Sequence, residues 1–386
     1  MLNCIVICKD FPMSTRVYDA CFVGCGAAAA IHLLAHKEYF REKRVLILEG
    51  ASSFSRDKTF CSFSKHRIDL VETKTWSRFE AGQRNRIKRF ETRIPYHCLD
   101  AKKLFDDLEL FIAQSPSIEV KFGTRVSRVE QRGGHFVLDG SIEAIHVFDS
   151  RPLELKKPFL VQHFLGVELE FEALSPIQDP IIMDIDCSFS QGLKFFYVIP
   201  KTPHRLLVEL TYFSETPLAL EEYRAELEGF LRSRKWPDSR QVGEEYGEIP
   251  LVRIVPPCHL PKHYHPLGIR AGHLRASTGY SIWRSYRQSM RGGPLAEHHQ
   301  STKWRVIGWM DTVFLSVLYR KPERSSEIFS SFFRRLSGDD IASFMSEEPS
   351  WLSLIRVIWA MPKLPFLRAL FDESRDFHSH QWRGMS

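Results

Sequence analysis

Gly24, Gly26 and Ala29 are spaced as G-x-G-x-x-A, and an acid, Glu49, closes the next apolar run. Those residue types at that spacing could hold a dinucleotide. Gly24 would make a tight turn, Gly26 would let the backbone approach a pyrophosphate, and Ala29 is small enough for close helix–strand packing. The helix beginning near Ala27 would aim its free N–H groups and positive end at the phosphates. Glu49 would accept hydrogen bonds from ribose hydroxyls. The plain alternative is a buried Ala-rich helix with no ligand. A second candidate is Glu209, which interrupts the apolar run Leu206-Leu207-Val208-Glu209-Leu210. Taken from the strand alone, an outward-facing Glu209 paired with Arg205 or Lys201 is the plainer reading. Asp184 and Asp186 follow another apolar run, as carboxylates on a pocket wall would, although turn capping is the commoner role. Thr278-Gly279-Tyr280 ends a glycine-rich stretch ahead of a helix. Its N–H groups could face a phosphate or a ring, or it could be a tight turn before a core helix.

The elements around these residues have the order the chemistry needs. Val17 to Val23 reads as a strand, Ala27 to Ala35 as a helix and Arg44 to Leu48 as a second strand. Strand, glycine turn, helix, strand and acid make a βαβ unit. Asp100 to Gln114 reads as an amphipathic helix with Asp100 as N-cap and Leu104, Phe105, Leu108 and Ile112 on one face. Ile145 to Phe148 is a strand returning to the parallel sheet. From Phe159 the texture changes. Phe164–Phe171, Pro180–Asp184, Leu193–Ile199 and Arg205–Phe213 are strand-like and separated by turns, as in an inserted antiparallel sheet. Leu218 to Arg234 is helical, and so is Asp311 to Leu370. Trp351 to Trp359 is more apolar than a surface helix should be, which fits a buried helix or one that faces a membrane. The resulting divisions are an extension over 1–16, a discontinuous nucleotide-binding domain over 17–158 and 245–300, a substrate-binding sheet domain over 159–244 and a helical region over 301–386.

With 386 residues the chain can bury a large core. A net charge of +6 from 53 basic and 47 acidic residues does not argue for nucleic acid, and it is compatible with an anionic membrane surface. The eight cysteines lack zinc-site spacing and read as reduced thiols, so no metal is expected. No apolar run reaches the roughly 20 residues of a membrane span, and the N-terminus lacks the marks of a signal peptide. The expected location is cytoplasmic. Met13 is an alternative start to Met1.

Eight motifs in order carry a resemblance. They are Gly24–Ala29, Asp57-Lys58-Thr59-Phe60-Cys61-Ser62-Phe63, Phe148-Asp149-Ser150-Arg151-Pro152, Gln162-His163-Phe164-Leu165-Gly166, Pro180-Ile181-Ile182-Met183-Asp184, Leu206 to Phe213, Gly247-Glu248-Ile249-Pro250 and Ser277-Thr278-Gly279-Tyr280-Ser281. Together they resemble the flavoprotein lycopene cyclases, the lycopene β-cyclase group of carotenoid synthesis, over roughly Val17 to Leu370. Phe60 stands where that family usually has Trp, Ala276 where it has Pro, and Leu210 where a second acid is common.

The resemblance implies an α/β fold like that of glutathione reductase and the aromatic hydroxylases. An FAD-binding Rossmann-type domain would carry the inserted antiparallel sheet and the helical C-terminal part. It implies reduced FAD as cofactor, NADPH as reductant and a linear carotenoid, lycopene or neurosporene, as substrate, with peripheral membrane contact. The implied activity is that of an isomerase, a cyclisation with no net redox change. It places the catalytic acid at Glu209, with Asp184 as second choice. It places FAD on Gly24, Gly26, Ala29 and Glu49, with Lys58 (or Arg56) and Thr278, Gly279 and Tyr280 near the flavin ring. Rival expectations on the same scaffold are a flavin monooxygenase, a prenyl-lipid reductase and a non-catalytic pigment-binding protein.

Overall fold

The computed structural model describes residues 17–156, 158–257, 259–296, 301–346, 348–370 and 379–381. The expected extension 1–16, and with it the choice between Met1 and Met13, lies outside the described residues.

Two sheets organise the chain. In the first, Ile118–Lys121, Val45–Leu48, Tyr18–Val23, Ile142–Asp149 and Tyr264–Pro266 run parallel. The hairpin Val129–Arg132 and His135–Leu138 extends its edge antiparallel. Parallel strands buried on both faces need near-continuous apolar runs, which Val45–Leu48 supplies. Helices Ala27–Ala35, Ala101–Ala113 and Ile282–Met290 share one apolar cluster with Phe22 and Phe148 on one face. The rings of Phe22 and Phe148 stack at 4.5 Å. Asp100 caps its helix as expected, accepting a hydrogen bond from the Lys102 N–H at 2.8 Å.

The second sheet has eight strands in the order Ser239–Leu251, Leu160–Phe171, Arg205–Ser214, Leu193–Thr202, Ile181–Ile185, Thr73–Gln83, Arg86–Asp100, Thr59–Phe63. It differs from the expected insertion in two ways. Its last three strands come from the 59–100 stretch, which the sequence reading gave to the nucleotide domain. It is also not purely antiparallel, because Ile181–Ile185 pairs parallel with Thr73–Gln83. In the long strand Arg86–Asp100 exposed charges alternate with single buried residues over the first half, and the second half is mostly buried.

Each face of this sheet has its own cover. Helix Leu220–Arg234 packs Tyr223, Leu227 and Phe230 onto one face. The C-terminal helices, with Phe314, Phe332, Phe333 and Leu336, cover the other. The helical C-terminal region is therefore a lid over the sheet face that carries Leu207 and Phe213.

Candidate active site

The glycine turn has the expected build. Gly24 adopts φ +79°, and a Cβ there would meet Ser150 Oγ at 2.9 Å. The Ser150 hydroxyl in turn donates to the Gly24 carbonyl at 2.8 Å. Gly26 is the N-cap of helix Ala27–Ala35, with open space where its Cβ would be. Ala29 is fully buried against the strands. The Glu49 carboxylate reaches across the turn, accepting from the Cys25 N–H at 2.7 Å and from the Ala51 N–H at 2.9 Å. The acid expected at a ribose is thus held beside the turn that would carry the pyrophosphate.

A loop links this turn to a cavity. Gly268, at φ +57°, lies so close to the helix start that its Cβ would touch Ala28 Cβ at 3.0 Å. From there the chain runs through Leu274 to Ser281 along the cavity wall. Arg275 is buried and locks the loop to the helical lid. Its guanidinium faces Asp311 at 3.4 Å and donates to the carbonyls of Phe344 and Ser346.

The cavity encloses about 280 Å³. The sheet contributes Gln162, Phe164, Phe195, Tyr197, Glu209 and Phe213; the loop contributes Ser277, Thr278, Gly279 and Tyr280; the lid contributes Phe314, Phe329, Phe332 and Phe333. Phenylalanine is the commonest lining residue, and aromatic faces attract cations. Two polar atoms on this wall, Gln162 Oε1 and Ser277 Oγ, are buried without a hydrogen-bond partner among the described residues. Gly279 stands beside them at φ +72°, and a Cβ there would come within 2.6 Å of Gln162 Oε1. An open helix N-terminus, an acid across the turn and orphaned polar atoms along the connecting wall fit a flavin dinucleotide. Thr278, Gly279 and Tyr280 line the cavity.

Glu209 faces this cavity and is almost fully buried. Its Oε1 accepts a hydrogen bond from Thr211 Oγ1 at 2.6 Å. Removal from water pushes its carboxyl up from 4.5 to about 7, against the opposing pull of the Thr211 hydroxyl and the Lys58 ammonium. The outward-facing Glu209 paired with Arg205 or Lys201 does not occur. Arg205 pairs with Glu170 at 2.8 Å, and Lys201 with Asp100 and Glu168, each at 3.0 Å.

Asp184 lies away from the cavity. A β-bulge between Ile181 and Asp184 leaves both Ile182 and Met183 on the lid side and turns Asp184 to the opposite face. There its carboxylate pairs with Arg234 and sits 4.0 Å from Arg84, whose guanidinium lies over the Phe196 ring. As a second acid Asp184 is therefore corrected: it is a buried partner of two arginines. Lys58 donates to the Tyr246 carbonyl at 2.7 Å and to Asp57 at 2.8 Å. Its ammonium is close enough to Glu209 to pull that carboxyl down, but Lys58 is not among the residues lining the cavity. Arg56 is tied to Asp106 and Glu109. His163 is held by Tyr223 and Ser214 on the face away from the lid.

The sequence reading missed Tyr197, which lines the cavity, and Tyr96 and Glu245, which are buried behind it. The hydroxyls of Tyr96 and Tyr197 hydrogen-bond each other, and Tyr280 lies 3.4 Å from Tyr96. Burial holds all three phenols well above their ordinary range, so they stay neutral. Glu245 is buried next to Glu209. Its only sequence signal is the glycine pair Gly243 and Gly247 flanking it in a strand.

The raised carboxyl makes stability depend on pH. Between pH 4.5 and about 7 the native chain keeps a proton that the unfolded chain has lost, so this contribution disappears as pH rises through that window. Glu209→Gln removes the dependence. Relative to the native sequence, the variant is expected to gain about 3 kcal/mol in unfolding free energy between pH 4 and pH 8, read from urea midpoints. An equal effect at both pH values would show that Glu209 is ionised at neutral pH.

The chain matches the Lycopene cyclase protein family over residues 19–371. It is 24% identical over 380 residues to a lycopene beta-cyclase of Pantoea ananas, covering 92% of this chain and 97% of that one. It is 27% identical over 282 residues to a lycopene beta-cyclase of Paracoccus sp. (strain N81106 / MBIC 01143), covering 69% and 70%. The fold is similar to that of a geranylgeranyl bacteriochlorophyll reductase-like protein from Thermoplasma acidophilum, with a TM-score of 0.55 at 12% identity over 92% of this chain and 98% of that one. It is also similar to PqsL, a probable FAD-dependent monooxygenase from Pseudomonas aeruginosa, with a TM-score of 0.51 at 11% identity over 89% and 99%. At such identities the structures share a fold and nothing finer follows from them. The family match spans both sheets and the helical lid, so the chain belongs to the lycopene cyclase family.

Proposed function

We propose that this chain is a lycopene β-cyclase, an isomerase that closes the ψ-end groups of lycopene into β-rings with no net redox change. The observation that carries the reading is a buried carboxyl, Glu209, held well above its ordinary range by desolvation and facing an aromatic-lined cavity in a member of this family. Protonating an unactivated double bond needs an acid that keeps its proton in apolar surroundings. It also needs water kept from the cation that forms.

The steps follow from the residues. The Glu209 O–H protonates the terminal double bond of the end group. The resulting tertiary cation closes a six-membered ring against the next double bond. Loss of a ring proton sets the final double bond, and the Glu209 carboxylate left by the first step is the base facing the cavity. Phe195, Phe213, Phe329 and Phe332 offer aromatic faces to the cation and exclude water. Gly24, Gly26, Ala29 and Glu49 would hold the diphosphate and ribose of FAD, and Gln162, Ser277 and Thr278 would meet its ring. Reduced FAD would supply negative charge opposite the cation, with NADPH keeping it reduced and not consumed at each turnover. At about 280 Å³ the cavity falls just below the roughly 300–1,000 Å³ range of small-molecule sites. It suits one end of a long polyene, the rest of which must leave through the mouth.

A lipid-soluble substrate calls for a lipid-facing mouth. Helix Trp351–Ala360 exposes Trp351, Leu352, Ile355, Ile358 and Trp359, the last 72% exposed, and Met361 just after it lines the cavity. Lys303 and Lys363 lie over the Trp351 and Trp359 rings. Such an apolar strip with basic neighbours suits an anionic bilayer surface. No helix among the described residues is long and apolar enough to cross a membrane, so the contact proposed is peripheral.

Bacterial cells that accumulate lycopene should form cyclic carotenes when they express this chain and keep their lycopene when they express Glu209→Gln. Unchanged lycopene beside soluble, FAD-loaded wild-type protein would refute the cyclase reading. Replacing Trp351, Ile355 and Trp359 together by Ser should cut sedimentation with phosphatidylglycerol vesicles at least tenfold. Undiminished binding would place the membrane contact elsewhere.

A further inference from the structure

The second buried carboxyl, Glu245, has a geometry that a space-filling residue would not need. Gly166 pairs in register with Glu209 on one neighbouring strand and with Glu245 on the other. The three residues therefore share the lid-side face of the sheet. A Cβ on Gly166 would come 3.1 Å from Glu245 Cγ, 3.5 Å from Glu209 Cβ and 2.9 Å from Leu207 Cδ1. The missing side chain leaves room between the two acids for the Glu245 side chain. Glu209 lines the cavity; Glu245 is not among the lining residues and sits behind it.

We propose that Glu245 is a positioning residue that remains protonated behind Glu209 and donates a hydrogen bond to it, so that Glu209 can release its proton into an apolar cavity.

The proposal rests on the cyclase reading of the site. Two adjacent carboxyls removed from water cannot both ionise at modest cost. The cations nearby do not force the second ionisation, because they have anionic partners of their own. Lys58 is paired with Asp57, and Lys201 with Asp100 and Glu168. The remaining groups around the pair are Thr59, Thr211, Cys61 and Tyr280. The first two are hydroxyls, and burial keeps the thiol and the phenol neutral. The balance is simple. The Glu209 O–H bond breaks as a C–H bond forms on the substrate, and the electron pair stays on the Glu209 oxygen. The Glu245 O–H stays intact and hydrogen-bonds that new carboxylate. When the ring cation loses its proton, the Glu209 O–H is restored.

The test is the pH profile of kcat and KM for the FAD-loaded, reduced enzyme acting on lycopene in phosphatidylglycerol vesicles. Glu245→Leu removes the donor. It should lower kcat about 10- to 100-fold at unchanged KM and move the alkaline limb up by about one pH unit. Glu245→Gln, still a donor, should keep kcat within about threefold and leave the limb in place. A limb that moves down in Glu245→Gln would show that Glu245 is an anion and overturn the proposal. So would a Glu245→Leu enzyme with unchanged kcat and limb. Infrared titration of the substrate-free holoenzyme gives an arm independent of turnover. Two protonated carboxyl bands at pH 6, of which Glu245→Leu removes one and shifts the other to titrate at higher pH, are expected. A single band lost only in Glu209→Gln would overturn the pair. Absent cyclic product from the native enzyme with both bands present would sink the cyclase reading and leave the pairing standing.

Discussion

Desolvation of one carboxyl is the interaction on which the rest of this structure depends. In water Glu209 would be ionised at neutral pH, and on the proposed mechanism it could not then act as the acid. Set in a strand whose neighbours are Val208 and Leu210, under a lid of phenylalanines, it holds its proton to about pH 7. The eight-stranded sheet supplies a rigid wall for it, and the C-terminal helices supply the dry side opposite. Neither layer alone would do this, since a sheet face open to solvent would return the carboxyl to its ordinary range.

On the proposed reading, the second requirement is that an FAD held at one sheet reach a cavity built on the other. The segment from Leu267 to Ser281 makes that link. It starts from a hydrogen bond between the Leu267 N–H and the Asp149 carbonyl at 2.8 Å. It passes the helix N-terminus at Gly268 and ends on the cavity wall at Tyr280. Asp149 anchors its start, held by Arg151 at 2.7 Å and by the Tyr264 hydroxyl at 2.6 Å. Arg275 fixes its middle to the lid. Buried ion pairs are costly unless fully hydrogen-bonded, and here they sit where two layers must keep one geometry.

Much of this was legible in the sequence, for definite reasons. The βαβ unit declares itself through glycine spacing and an apolar run, and helix Ala101–Ala113 through its cap and its 3.6-residue period. The face that a strand residue takes was not legible where pairing is irregular. Period-2 counting from Ile182 puts Asp184 on the cavity side, and one bulged residue reverses it. Glu245 was hidden because exposed Glu244 and Glu248 share its strand Ser239–Leu251, and beyond the flanking Gly243 and Gly247 nothing local marks it as inward-facing. Only the pairing of Gly166 with both acids shows it, and that is information about three strands at once. The 59–100 stretch joined the second sheet for a similar reason: its pairing with Ile181–Ile185 spans some hundred residues of chain.

The most direct test of the central claim, that a protein acid starts the reaction, is a single turnover in deuterium oxide with holoenzyme equilibrated in that solvent. One deuterium in each new ring is expected, bound at the carbon that Glu209 protonates, with nicotinamide of either label leaving no trace in the product. Rings free of solvent deuterium, or rings carrying hydrogen from labelled NADPH, would contradict an acid-initiated, non-redox cyclisation at Glu209.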